Sequence, residues 1–224
     1  MELTASERRV LDAARTTAAA LAPGDVHTVA AAAMDLSGRI HTGVNVHHFT
    51  GGPCAEIVAL GVAASAPDPQ PLVTIAAVVR TGELLVPCGK CRQVFTDLHP
   101  GVFVIVPGTR EPQLVPLHEL LPRAYHQPGE HPGRLLRFAS RYYDEIAAGT
   151  KTVTIRYRDP IETGPVTLVF EDDDGYRSLP AHVDTVAARR IDPGADAELL
   201  AGLRQHYPGI PDNAAVEVVN FRVL

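Results

Sequence analysis

All three cysteines of the chain lie in two short motifs, Pro53-Cys54-Ala55-Glu56 and Pro87-Cys88-Gly89-Lys90-Cys91. Each motif opens a stretch that reads as a helix, residues 54–64 and 88–98. The prolines suit helix starts, where a missing N–H costs little. Cys88 and Cys91 are three apart and share a helix face. At a helix N-terminus the unpaired N–H groups and the macrodipole favour thiolate over thiol, and thiolate is the form that binds metal. A fold that uses all three sulfurs must therefore bring two helix N-termini to one point. Three protein ligands leave a fourth tetrahedral position open, the arrangement of a catalytic rather than a structural zinc site.

Glu56 follows the first cysteine by two residues. A glutamate that is not a ligand, close to the first cysteine and followed by a C-x-x-C pair, is the pattern of zinc-dependent nucleobase deaminases. Such a reaction needs a group that takes a proton from water and returns it to the ring nitrogen and then to the departing amine. One carboxylate can do all three. Three thiolates carry one negative charge more than Zn²⁺ neutralises, so compensation falls to the helix N-termini and to a nearby cation, Lys90 or Arg92. A redox disulfide between Cys88 and Cys91 is the competing account, and it leaves Cys54 and Glu56 without a role.

The chain of 224 residues is long enough for one large domain or two small ones. Aromatic residues are 5% of it and Trp is absent, so any core is built of Val, Leu, Ile and Ala. Residues 1–130 hold 9 Lys+Arg against 12 Asp+Glu, and residues 131–224 hold 11 against 14. Neither half has the basic excess of a nucleic-acid binder. The N-terminus lacks an apolar signal core, and the apolar runs at 57–66 and 72–79 are too short to cross a bilayer. A cytoplasmic protein with no membrane partner is expected, acting on a small molecule.

Thr4-Ala5-Ser6-Glu7 is a capping box that starts an Ala-rich helix to about Ala20. Residues 26–34 and 39–46 read as strands joined by the turn Asp35-Leu36-Ser37-Gly38. Residues 72–79 and 102–106 read as buried strands, so helices and strands alternate as in an α/β sandwich. Residues 122–133 are rich in Pro, Gly and polar residues, and 126–133 are expected to be a linker. Beyond it Ser140 is expected to cap a short helix that ends at Gly149. Strands follow at 152–157, 166–170, 178–188 and 214–223, with a helix at 197–206. Residues 171–175, Glu-Asp-Asp-Asp-Gly, read as a hairpin turn whose spacing fits no calcium loop.

Thr42-Gly43-Val44-Asn45-Val46-His47-His48-Phe49-Thr50-Gly51-Gly52-Pro53-Cys54-Ala55-Glu56 resembles the corresponding stretch of the blasticidin S deaminase branch of the zinc-dependent cytidine deaminase superfamily. So do Pro87-Cys88-Gly89-Lys90-Cys91-Arg92-Gln93-Val94 and Asp97-Leu98-His99-Pro100-Gly101. The resemblance covers residues 1–125. It implies an α/β fold of the cytidine deaminase type, a three-layer sandwich, in a homotetramer that deaminates a cytosine nucleoside. By resemblance Cys54, Cys88 and Cys91 hold Zn²⁺ and Glu56 carries the proton. Asn45 holds a sugar hydroxyl, and the Ala55 N–H faces the base. His27 stands where an aromatic residue is expected and Thr28 where a serine is. Thr81-Gly82 replace a substrate-contacting arginine. Tyr125 is kept, and Gln127 replaces a tryptophan.

Ile146-Ala147-Ala148-Gly149-Thr150-Lys151-Thr152-Val153-Thr154-Ile155-Arg156 resembles the signature of the ASCH domain, a small PUA-like β-barrel, over residues 134–224. Small members of that family are similar to amidohydrolases that remove the acyl group of N4-acetylcytidine with a Lys, a Thr and a Glu. Lys151 and Thr154 match the first two, and Asp192 falls at the place of the third. In a regular strand positions 151 and 154 face opposite sides, so the pair converges only if Lys151 lies in the turn before the strand. Asp192 precedes Pro193 and also reads as a turn residue. The combined expectation is a cytidine- or blasticidin-S-type deaminase with a second amidohydrolase activity. The alternative is an RNA-binding or RNA-base-modifying protein that uses the PUA-like domain.

Overall fold

The computed structural model describes residues 3–125, 134–172 and 175–224. The expected linker at 126–133, with Gln127, lies outside the described residues, as do residues 173–174 of the expected turn. Helix α1 (Ala5–Ala19) starts with the capping box: the Glu7 N–H donates to Thr4 Oγ1 at 3.4 Å, and the Thr4 N–H donates to Glu7 Oε2 at 2.8 Å. Strands β1 (Val29–Asp35) and β2 (Ile40–Val44) pair antiparallel. The buried Asp35 carboxylate organises their turn, accepting from the Ser37 and Arg39 N–H groups, the Ser37 hydroxyl and Arg39 Nε. Gly38 takes the positive φ of 83° that this turn requires.

Helix α2 (Ala55–Ala64) leads to β3 (Leu72–Val79), a two-residue β4 (Leu84–Leu85), helix α3 (Gly89–Leu98), β5 (Phe103–Val106), β6 (Gln113–Pro116) and helix α4 (Leu117–Leu120). The first sheet has the order β2-β1-β3-β5-β6, with β4 on β3. Only β3 and β5 pair in parallel among these strands.

The central strands are buried on both faces, so they read as apolar runs rather than alternations. Ala30, Ala32 and Met34 of β1 pack with Val10, Leu11, Ala14 and Ala18 of α1. Ala31 and Ala33 of the same strand pack with Ala55, Ala59 and Ala63 of α2 and with Cys91 and Phe95 of α3. A helix on one face and helices on the other make three layers. The alanines keep the layers close, and Gly43 on β2 brings α2 closer still. A Cβ there would lie 2.3 Å from the Ala59 nitrogen and 2.6 Å from the Ala55 carbonyl oxygen.

The second part continues with β7 (Arg134–Ala139), a 3₁₀ turn (Ser140–Tyr142), α5 (Tyr143–Ala147), β8 (Val153–Arg156), β9 (Gly164–Asp172), β10 (Gly175–Arg190), α6 (Ala197–His206) and β11 (Ala215–Val223). Ser140 opens the 3₁₀ turn rather than capping α5, whose N-cap position is Tyr142. Gly149 follows α5 with φ 72°, as a C-terminal cap requires. A second sheet has the order β7-β9-β10-β11-β8.

The chain divides into two compact units, residues 1–140 with 168–178 and residues 141–167 with 179–224. In the second, Ile191, Leu200, Leu203, Ile210, Ala214 and Val216 form a core flanked by Ile155, Tyr157 and Tyr207. Among the described residues no helix is long and apolar enough to cross a membrane.

The first unit holds a buried charge cluster. Arg137 Nη2 donates to Glu7 Oε1 at 3.0 Å, to Glu171 and to the Tyr176 hydroxyl at 3.1 Å, and its guanidinium stacks 4.0 Å from the Phe103 ring centroid. Glu7 thus caps α1 with one oxygen and holds Arg137 with the other. Burial raises the pKa of Glu171, and the nearby Glu7 carboxylate adds to this against the pull of Arg137.

Arg137→Met leaves the buried Glu7 and the partly buried Glu171 without their cation and is expected to cost about 3–5 kcal/mol in chemical denaturation. A carboxyl whose folded pKa exceeds its unfolded value loses stabilising free energy as pH rises through the folded value. Glu171→Gln is therefore expected to remove a decline in melting temperature above the ordinary carboxylate range. Gly43→Ala is expected to lower the melting temperature and to displace the α2 N-terminus, read as lost metal affinity.

Candidate metal centre

Cys54 is the N-cap of α2 and Cys88 the N-cap of α3, both in extended backbone. Cys91 lies one turn into α3 and is fully buried. The Cys54 and Cys88 sulfurs are 3.7 Å apart and those of Cys88 and Cys91 are 3.6 Å apart. All three lie within 4.8 Å of one another. A tetrahedral zinc with Zn–S bonds of about 2.3 Å holds its sulfurs about 3.8 Å apart, so the donor set and its spacing fit the ion. Cys54 and Cys88 stand at the N-termini of α2 and α3, while Cys91 closes the cluster from inside the core.

The thiols respond differently to their surroundings. Burial pushes Cys91 strongly upward, with the Glu56 carboxylate adding to it. Burial also raises Cys54, helped by its contact with Cys88. At Cys88 burial is outweighed, because the Cys91 and Lys90 backbone N–H groups donate to its sulfur and pull its pKa down. Cys88 is the readiest thiolate of the three. A bound dication would offset the penalty on the other two.

Glu56 sits in the first turn of α2, and 6% of it is exposed. It acts electrostatically on both Cys54 and Cys91. Among the described residues its carboxylate takes part in no hydrogen bond or ion pair. A buried carboxylate beside three sulfurs and committed to no protein donor is free to exchange a proton with a bound molecule.

Arg92 does not reach the sulfurs as a counter-charge. Its Nε donates to the Pro87 carbonyl at 2.7 Å and its Nη1 to the Leu120 carbonyl at 2.8 Å. It clamps the turn that presents Cys88. Lys90 is exposed and contributes its backbone N–H to Cys88. Gln93 exchanges two hydrogen bonds with the backbone of Tyr125, whose side chain is exposed. The sequence did not single out Gly43 or Gln93. The helical spacing of Arg92 and Gln93 from the cysteines was the available signal.

Asn45 lies just beyond β2. Its Oδ1 accepts from the Thr28 and Val29 N–H groups at 2.8 Å each, and its backbone carbonyl is 2.7 Å from His27 Nδ1. Asn45 and His27 are thus brought together at the head of β1, with the Asn45 carboxamide satisfying two strand-end donors. Ala55, the first residue of α2, is fully buried beneath Gly43.

In the second unit Lys151 precedes β8, in the turn where its N–H donates to the Glu145 carbonyl at 3.1 Å. Thr154 is half-buried within β8 and pairs in register with Val219. Asp192 is exposed. Its Oδ1 accepts from Gly194 N–H at 2.9 Å and Ala195 N–H at 3.3 Å, shaping the turn before α6. No hydrogen bond or ion pair among the described residues links Lys151, Thr154 and Asp192.

Arg92→Ala frees two carbonyls and loosens the Cys88 turn. It is expected to weaken metal binding by about 10–100-fold in a chelator competition, with the far-ultraviolet dichroism unchanged.

No protein-family model matches the chain. It is 34% identical over 116 residues to a cytidine deaminase of Mycobacterium tuberculosis, a match covering 51% of this chain and 84% of that protein. It is 30% identical over 108 residues to a blasticidin-S deaminase of Bacillus cereus, covering 44% of this chain and 77% of that one. The crystal structure of the M. tuberculosis cytidine deaminase aligns at 30% identity over 54% of this chain and 97% of that chain, with a TM-score of 0.46. Across about half its length, in the N-terminal part that carries the three cysteines, the chain belongs to the cytidine deaminase family.

Proposed function

We propose that the first unit is a zinc-dependent hydrolase that converts the cytosine of a nucleoside to uracil and ammonia. Cys54, Cys88 and Cys91 would hold the zinc. When bound, zinc lowers the pKa of a water molecule so that it attacks as a nucleophile near neutral pH. The observation that carries the reading is the buried, uncommitted Glu56 carboxylate beside the three sulfurs.

Glu56 takes the proton of the attacking water and delivers it to ring N3. It then carries the second proton of the oxygen to the exocyclic nitrogen, so that ammonia can leave as the C4–N bond breaks. One water is consumed, and no redox partner is needed. The substrate is a cytosine nucleoside, cytidine or a blasticidin-S-like antibiotic, supported by the similarity to proteins of both names. Asn45, His27, Ala55 and Tyr125 are proposed to face it. The assembly is proposed to be a cytoplasmic homotetramer.

For residues 134–224 we propose an ASCH-type PUA-like domain that removes N4-acyl groups, with Lys151 activating Thr154. The place of Lys151 in the turn before β8 supports the pair. The Asp192 carboxylate is engaged by its own turn, so its part as the acid rests on the family pattern alone. Removal of an acyl group would expose the amine that the first unit releases.

Glu56→Gln is expected to lower kcat on cytidine by about 10²–10⁴-fold, followed by ultraviolet absorbance, while bound zinc stays at the wild-type level. Equal activity of Glu56→Gln and wild type would sink the proton-carrier role. With N4-acetylcytidine, the wild type is expected to end at uridine and Glu56→Ala to stop at cytidine. An untouched N4-acetylcytidine would remove the two-step reading and leave the deaminase standing.

A further inference from the structure

The second unit gathers positive charge against the acidic balance of the chain. Tyr142 lies at the centre. The Arg141 guanidinium carbon is 4.9 Å from its ring centroid, and Lys151 Nζ is 4.8 Å from it. Arg141 Nη2 lies 3.2 Å from the Tyr142 hydroxyl and 3.0 Å from His206 Nε2, and the hydroxyl is 3.5 Å from the same nitrogen. These residues come from the 3₁₀ turn, the turn before β8 and the last position of α6. Arg156 of β8 adds its charge, and its carboxylate partner is Asp159 at 3.5 Å. Among the described residues Arg141 and Lys151 pair with no carboxylate.

An arginine can only donate, so Nε2 of His206 accepts and the ring is neutral with its proton on Nδ1. Partial burial and the charges of Arg141, Arg156 and Lys151 hold its pKa below the ordinary value. Two cations at one aromatic ring beside a neutral imidazole lack an anion, and cation–π attraction offsets only part of their repulsion. A phosphate monoester supplies what is missing: two negative charges and oxygens for the guanidinium, the ammonium and the phenol. Its charge would also draw a proton onto His206, which then donates as well.

We propose that Arg141, Tyr142, Lys151 and His206 form a site for the phosphate monoester of a nucleotide, with Lys151 held there as its ammonium, the state in which it does not activate Thr154. That the nucleoside portion is cytidine rests on the function proposed above, whereas the anion site does not.

The test uses the full chain, with the His206 ring signal followed by carbon–proton NMR and assigned through His206→Gln. Inorganic phosphate and cytidine 5′-monophosphate are expected to shift that signal and to raise its titration midpoint, and cytidine is expected to do neither. In calorimetry Arg141→Gln is expected to weaken cytidine 5′-monophosphate by about tenfold or more, while Arg141→Lys retains much of the affinity. Turnover of cytidine by the Arg141→Gln protein is expected to stay at the wild-type level. A His206 signal unmoved by either phosphate overturns the proposal, as does equal affinity in Arg141→Gln and wild type. A short RNA that binds where the mononucleotide does not overturns it as well. None of these outcomes touches the deaminase reading, which fails separately if cytidine is not deaminated.

Discussion

Clustered thiolates repel one another, and the first unit nevertheless places three sulfurs, one of them fully buried, within 4.8 Å of one another where α2 and α3 begin. Two devices make that arrangement compatible with thiolate. Backbone N–H groups of α3 donate to Cys88, so one thiol ionises readily. For the other two, a bound dication would offset the cost of ionisation. The surrounding sheet serves this convergence. Small residues on β1 and Gly43 on β2 let α2 lie close to the strands, and Arg92 holds the turn that presents Cys88. Glu56 then stands beside the sulfurs because it occupies the first turn of the helix that Cys54 caps.

Charge is handled in opposite ways elsewhere. The Arg137 cluster is enclosed: Nη2 of one guanidinium serves two carboxylates and a phenol, while its Nε and Nη1 are buried with no hydrogen-bond partner among the described residues, and one of those carboxylates also caps α1. Such a network raises the cost of losing any member. Arg141 and Lys151 beside Tyr142 are more open, and among the described residues neither pairs with a carboxylate. The first pattern is that of a structural anchor, and the second leaves positive charge available to a bound anion, as proposed above.

Much of the fold was legible because its signals are local. The capping box, the Asp35 turn, the C-terminal Gly149 and the helix at 197–206 depend on neighbours within a few residues, and the structure has all of them. The short elements β4, β6 and α4 have no such signal, since two to four residues carry no measurable period. Strand β7 was hidden beside a Pro- and Gly-rich run. Ser140 looked like a helix cap because its residue type favours one, yet the chain takes a 3₁₀ turn first. The alternative reading of Asp192 as a turn residue describes its hydrogen bonds.

By itself the sequence determined the candidate donor set, because it holds only three cysteines and their motifs place two at helix starts and the third one turn further on. It also determined that Glu56 shares the helix of Cys54, since two residues of separation leave no other choice. The tertiary structure decided what depends on residues far apart in the chain. It brought Cys54 to 3.7 Å from Cys88, left Glu56 with no hydrogen-bond partner among the described residues, turned Arg92 to carbonyls rather than sulfurs, and set Arg141, Lys151 and His206 around one tyrosine. The physical reason is that motif spacing constrains only contacts along one helix or turn. Distance and solvent between elements follow from how the layers pack.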